Sequence, residues 1–271
     1  MTRISDTFAQ LKAKDEGALI AYITVGDPHP KKTPRLTGAL IEGGTDIIEL
    51  GIPFSDPIAD GPTIQNAVSR SLASGARPLD ALDIARTIHE RYDTPLVLMT
   101  YFNPIYRVGL SKFLSLAKES EISGVIVPDL PVEESADYKK ACVAAGIDTI
   151  FLASPSTNPE RLKQILTQTS GYLYLISLYG VTGVRAAVAE SALTLIKKYS
   201  DIIAGAVPLA VGFGISKPEH VRQIFQAGAN GAIVGSAFVS IIGKNSRNIP
   251  RAAKKLENLA RAMKKATRTA S

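Results

Sequence analysis

The stretch from Leu209 to Ser236 decides the fold. It runs Leu209-Ala210-Val211-Gly212, then Phe213-Gly214-Ile215-Ser216, then Pro218 with Val221, Ile224, Phe225 and Gly228, and ends Gly231-Ala232-Ile233-Val234-Gly235-Ser236. The first run is short and apolar on consecutive positions, as suits a parallel strand buried on both faces. Pro218 pre-sets the first turn of a helix, and the next four residues named recur at i, i+3, i+4 and i+7, which gives that helix one apolar face. A second short apolar run follows. The segment therefore reads as strand, turn, helix, strand: one βαβ unit.

The same alternation extends outward to both ends. Further apolar runs lie at Leu19–Thr24, Ile47–Gly51, Leu96–Thr100, Gly124–Pro128, Thr149–Ala153 and Leu173–Ser177, which with Leu209–Gly212 and Ala232–Gly235 make eight expected strands. Eight βα repeats predict a (β/α)₈ barrel rather than an open doubly wound sheet. Pro34 and Pro159 mark further helix starts, and the amphipathic pattern of Met1–Glu16 predicts an extra N-terminal helix. Two connections are long or polar, Pro53–Pro62 after the second strand and Tyr179–Glu190 after the sixth. Both fall on the C-terminal face, where barrels build their sites. No linker or compositional shift interrupts the 271 residues, so residues 1–271 are read as a single domain.

Composition narrows the classes. Hydrophobic residues at 45% and charged residues at 21% fit a folded globular chain. One cysteine, Cys142, excludes an internal disulfide and a cysteine metal cluster, and fits a reducing, cytoplasmic setting. No apolar run reaches the ~18 residues that a membrane span needs. The net charge of +6 owes much to Lys254, Lys255, Arg261, Lys264, Lys265 and Arg268. Ala252, Leu256, Leu259, Ala260 and Met263 recur at helical spacing there, so these cations are expected on the solvated face of a helix. The positive balance also suits a phosphorylated substrate.

Glu49 stands inside the apolar run Ile47-Ile48-Glu49-Leu50-Gly51. Burial there raises a carboxyl pKa and makes the group competent to give and take a proton, or else it is a structural carboxylate bonded to a neighbour. Asp56 and Asp60 lie in a loop stiffened by Pro53, Pro57 and Pro62, as placed groups or as solvated turn residues. Two glycine-bearing turns, around Gly214 and around Gly235-Ser236, follow the last two strands, where backbone N–H groups can cradle phosphate. A third, Tyr179-Gly180-Val181-Thr182-Gly183, is placed to close over a ligand. His29, His89 and His220 are scattered and give no metal spacing.

The runs Tyr22-Ile23-Thr24-Val25-Gly26-Asp27-Pro28, Glu49 through Pro62, Pro128-Asp129-Leu130-Pro131 and Gly180-Val181-Thr182-Gly183, with the Gly214 and Gly235 segments, resemble the tryptophan synthase alpha family in order and over nearly the whole chain. The resemblance implies a lyase that cleaves indole-3-glycerol phosphate by a retro-aldol reaction. Glu49 falls on the family's acid/base and Asp60 on its indole-binding carboxylate. Tyr174 matches a tyrosine near that glutamate, and Tyr22, Ile64, Tyr101 and Ile126 fall at indole-pocket positions. Thr182 falls on a loop threonine that organises the aspartate. Gly183, Gly214, Gly235 and Ser236 match the phosphate cup, and Phe213 is a further substrate-binding position. The resemblance further implies an alpha2beta2 heterotetramer with a beta subunit that holds pyridoxal phosphate, and no cofactor in this chain. Leu178-Tyr179 departs from the family, in which an arginine and a small residue are usual.

Other readings use the same residues differently. Another phosphate-binding barrel would share the Gly214 and Gly235 turns but leaves the Glu49–Pro62 run unexplained. A stand-alone indole-releasing lyase would keep the chemistry without a partner. A non-catalytic regulator of a beta subunit would not need a buried glutamate. Nucleic-acid binding would rest on the basic C-terminus alone, without interleaved aromatics or a recognisable module.

Overall fold

A computed structural model of the chain describes residues 2–176, 188–212 and 214–268. The strands are β1 (Ala18–Thr24), β2 (Ile47–Gly51), β3 (Leu96–Met99), β4 (Ile122–Ile126), β5 (Asp148–Ile150), β6 (Leu152–Ala153), β7 (Leu173–Ile176), β8 (Leu209–Gly212) and β9 (Gly231–Val234). All pair in parallel in the order β5-β4-β3-β2-β1-β9-β8-β7-β6. The two ends of this series, β5 and β6, are joined through the single residue Phe151, so the chain itself closes the ring. The Phe151 carbonyl accepts the Tyr174 N–H at 3.0 Å.

The (β/α)₈ barrel expected from the sequence is the observed architecture, with one correction. The expected strand Thr149–Ala153 is two pieces, β5 bonded to β4 and β6 bonded to β7, because the backbone changes partner at Phe151. The strand expected at Gly124–Pro128 begins earlier, at Ile122, and ends at Ile126. Pro128 lacks the N–H that would continue the ladder. A register shift between Leu96 and Val97 leaves Ser123 out of the pairing.

Twelve α-helices occur among the described residues. Those used below are α1 (Arg3–Lys12), α2 (Thr33–Glu42), α3 (Pro62–Ala73), α4 (Asp80–His89), α5 (Phe102–Val108), α6 (Leu110–Glu119), α7 (Ala136–Ala145), α8 (Pro159–Gln168), α9 (Glu190–Ile203), α10 (Pro218–Gln226), α11 (Ser236–Lys244) and α12 (Ile249–Lys265). Pro34, Pro159 and Pro218 sit in the first turns of α2, α8 and α10, where a missing N–H costs nothing.

The strands are apolar on consecutive positions because they separate two cores. Outward residues such as Leu19, Ile48, Leu50, Leu98 and Val125 pack under the helices. Inward residues Ile20, Ile47, Val97, Ile126, Ile150, Tyr172, Ala210 and Ile233 fill the barrel. Ile4, Phe8 and Leu11 of α1 join the inner cluster, and a capping box between Thr2 and Ser5 fixes the start of that helix. The expected N-terminal helix thus stops the bottom of the barrel.

On the outer layer, α12 buries Ala252, Leu256, Ala260 and Met263, as its spacing predicts. One of its cations departs from the expected solvated face. Lys264 turns inward, its Nζ lying 2.9 Å from Asp46 Oδ2 and 3.2 Å from Glu16 Oε2. Asp46 Oδ2 also accepts the Leu19 N–H at 2.7 Å. Two carboxylates drawn out of water need a cation between them, and the last turn of α12 supplies it.

Candidate active site

Glu49 lies in the middle of β2, with Tyr22 of β1 and Val97 of β3 as its register partners. Its side chain is wholly buried and points into the barrel. The Tyr172 phenol, at the entry to β7 on the far side of the ring, donates to Glu49 Oε1 at 2.6 Å. The bond therefore crosses the barrel interior. Glu49 Oε2 is buried without a hydrogen-bond partner among the described residues.

Burial pushes the Glu49 carboxyl up to about 7, and the hydrogen bond from Tyr172 partly opposes that rise. At neutral pH both protonation states are populated, which a proton donor and acceptor requires. Replacing Tyr172 by phenylalanine removes the donor that favours the carboxylate. The Glu49 titration should then move to higher pH, as followed by its carboxyl stretch in difference infrared spectra. An unmoved or acid-shifted titration would contradict this geometry.

Tyr172 escaped the sequence reading, which placed Tyr174 near the glutamate. Tyr172 is fully buried and Tyr174 partly buried beside it. The Tyr174 phenol is pushed well up by burial first and then by the negative charge on Glu49, but the hydrogen bond comes from Tyr172. The signal was present: the two tyrosines are two residues apart, so they share the inner face of one strand.

Asp60 lies on the loop between β2 and α3, half-buried over the mouth. The Tyr101 hydroxyl accepts the Ala59 N–H at 2.9 Å and so directs its own proton to Asp60 Oδ2, 3.1 Å away. Burial raises the Asp60 pKa, and this bond from Tyr101 works against the rise. Phe54 packs on the Tyr101 ring at a centroid distance of 5.3 Å and holds the loop over it. Asp56, by contrast, is exposed and accepts from Ser55 Oγ at 2.6 Å.

Tyr22 and Ile64 pack together with Val68, Val239 and Met99. Ile126 belongs instead to the inner cluster with Tyr172 and Tyr174. Met99, at the end of β3, touches both groups and joins them into one lining. It was not anticipated, because a methionine closing an apolar run carries no chemical signature. Gly51 and Gly212 give the tyrosines their space. A Cβ on Gly51 would lie 2.2 Å from the Tyr22 hydroxyl, and one on Gly212 would lie 2.7 Å from the Tyr174 ring.

Gly214, at φ +68°, turns the chain after β8, and a Cβ added there would meet nothing within 4 Å among the described residues. Gly235 precedes α11, whose start has no side-chain cap and opens with Ser236. Backbone N–H groups left without a side-chain cap at a helix start can bind an anion. Thr182, Gly183 and Phe213 lie outside the described residues, as do Leu178, Tyr179 and most of the Tyr179–Glu190 connection. No group of three or more metal-ligating side chains occurs among the described residues.

The family profile described as tryptophan synthase alpha chain matches residues 8–268. The tryptophan synthase alpha chain of Methanosarcina barkeri is 46% identical over 269 residues, covering 99% of this chain and 98% of that protein. That of Arabidopsis thaliana is 41% identical, covering 97% and 94%. Among solved structures, the tryptophan synthase a2b2 complex of Pyrococcus furiosus includes a chain 44% identical, with a TM-score of 0.86 over 92% of this chain and 98% of that one. A structure from Aquifex aeolicus, 38% identical, aligns with a TM-score of 0.87 over 99% and 100%.

Proposed function

As the chain belongs to the tryptophan synthase alpha chain family, we propose that Glu49 and Asp60 carry its reaction and that the turns at Gly214 and Gly235-Ser236 hold the phosphate of its substrate. The chain is a carbon–carbon lyase of tryptophan biosynthesis, cleaving indole-3-glycerol phosphate to indole and glyceraldehyde 3-phosphate.

The observation that carries the assignment is Glu49 itself, buried at the centre of the barrel with a pKa near 7 and one carboxyl oxygen without a partner among the described residues. Protonated Glu49 delivers its proton to indole C3, and positive charge spreads to the ring nitrogen. The resulting carboxylate then takes the proton of the adjacent glycerol hydroxyl. As the C–C bond breaks, its electron pair returns to the ring, the hydroxyl carbon becomes the aldehyde, and Glu49 ends protonated as it began. Asp60 accepts the indole N–H and stabilises the developing charge, most strongly in the transition state. Tyr22, Ile64, Tyr101, Ile126 and Tyr174 line the indole end. Thr182, Gly183 and Phe213 complete the loop and the phosphate end in this reading.

In this reading residues 1–271 form one cytoplasmic domain; among the described residues no helix is long and apolar enough to cross a membrane. It pairs the chain with a beta subunit in an alpha2beta2 heterotetramer, as in the Pyrococcus furiosus a2b2 complex. The partner holds pyridoxal phosphate, and this chain holds no cofactor. The docking face is the C-terminal one, where the Asp56 loop presents Ile58 at 81% exposure and α5 presents Tyr106 at 74%.

Single-turnover release of indole, with and without a beta subunit, tests the whole assignment. Release without the partner and faster release with it are expected. Substrate binding with no indole under either condition would leave a non-catalytic, regulatory chain.

A further inference from the structure

The loop that extends β1 is held to α3 by two side chains of that helix, Arg70 and Ser71, and by its C-cap, Ser74. Arg70 donates twice to Asp27, from Nε to Oδ1 at 2.8 Å and from Nη2 to Oδ2 at 2.7 Å. Ser71 Oγ donates to the Val25 carbonyl at 2.6 Å, and Ser74 Oγ to the Gly26 carbonyl at 3.2 Å. Positions 70, 71 and 74 lie on one helix face, so the loop backbone rests along it. Gly26, at φ +84°, comes so close that a Cβ would lie 2.5 Å from Ala76 Cβ and from Ser71 Oγ.

The Asp27 side chain is 0% exposed and that of Arg70 is 33% exposed. A carboxylate taken wholly out of water is tolerated where a guanidinium meets both its oxygens. The same guanidinium reaches a third element: a Cβ on Gly243 of α11 would lie 3.0 Å from Arg70 Nη2. Arg70 is thus wedged between the β1 loop and bare backbone of α11.

Each of these elements carries a different part of the site. β1 carries Tyr22. α3 begins two residues after Asp60 and carries Ile64. α11 begins at Ser236, on the anion-binding turn. We infer that Asp27, Arg70 and Gly243 form a positioning clamp that sets the distance between the indole-binding end and the phosphate-binding end of the site, an inference that rests on the site assignment above. A ligand that joins both groups gains from their linkage only when the two half-sites stand at the right separation, whereas either group alone is indifferent to it.

Two variants loosen the clamp in different ways. Arg70→Lys keeps the charge and loses the planar fork. Gly243→Ala keeps both charges and displaces the guanidinium. Each is made in a Glu49→Gln background to prevent turnover and titrated calorimetrically with indole, with glycerol 3-phosphate and with indole-3-glycerol phosphate. Affinity for the joined ligand should fall about tenfold in both, while either fragment alone changes by less than roughly twofold. An unchanged joined ligand, or fragments weakened as much as the joined ligand, would overturn the clamp. If Arg70→Lys does not fold, Gly243→Ala decides by the same criteria. Should the background protein bind the joined ligand no better than the fragments, the site assignment itself fails and the clamp with it; failure of the variants alone removes only the clamp.

Discussion

Glu49→Gln protein is expected to fold, to bind indole-3-glycerol phosphate, and to release indole about a thousandfold more slowly than the native chain in single turnover. Positioned acid–base groups contribute roughly 10²–10⁴ in rate, and here one carboxyl serves for both proton transfers. Glutamine preserves the shape and can keep the bond from Tyr172, but it can neither give nor take the proton. Release within about tenfold of native would assign the proton transfers to another group.

The same substitution has a signature in stability. The Glu49 pKa rises from 4.5 to about 7 on folding. A carboxyl raised in this way makes its full contribution below its unfolded pKa, and that contribution is lost as pH rises through the folded value. Between pH 4.5 and 7 the native chain should therefore lose on the order of 3 kcal/mol relative to Glu49→Gln. Denaturant unfolding of both proteins across that window measures it, and parallel curves would mean that Glu49 does not titrate in the folded barrel as its burial requires.

Asp60→Asn should lower the rate of indole release by about 10²–10³-fold, the loss typical of one preorganised charge-stabilising group. The amide keeps the volume and can still accept a hydrogen bond from Tyr101, so the loop over the mouth should hold its place. What disappears is the negative charge facing the indole nitrogen as it becomes positive. Because that charge belongs to the transition state, kcat should fall more than KM rises. An increase in KM with kcat intact would make Asp60 a binding group only.

Much of this arrangement was legible in the sequence, for identifiable reasons. Strands buried on both faces leave continuous apolar runs, so the ring of strands was readable, and a glutamate inside such a run stood out against it. The break at Phe151 was not readable, because Thr149–Ala153 stays apolar through the change of hydrogen-bond partner. Tyr172 lay one residue outside an expected strand, and the sequence cannot say that its hydroxyl reaches across the barrel to β2. Lys264 follows the same spacing as its solvated neighbours. Only the tertiary position of Asp46 and Glu16 turns it inward. Asp27 and Arg70 are 43 positions apart, a separation at which a charge pair leaves no local pattern.

The plug formed by Ile4, Phe8 and Leu11 gives the barrel the topology of a stoppered flask. In the site proposed above, substrate would enter and both products would leave through one neck, at the end opposite the plug. Escape of either product is then in series with anything that covers that neck, so the residence time of indole becomes a property of the assembly that closes the flask as well as of the chain that makes it.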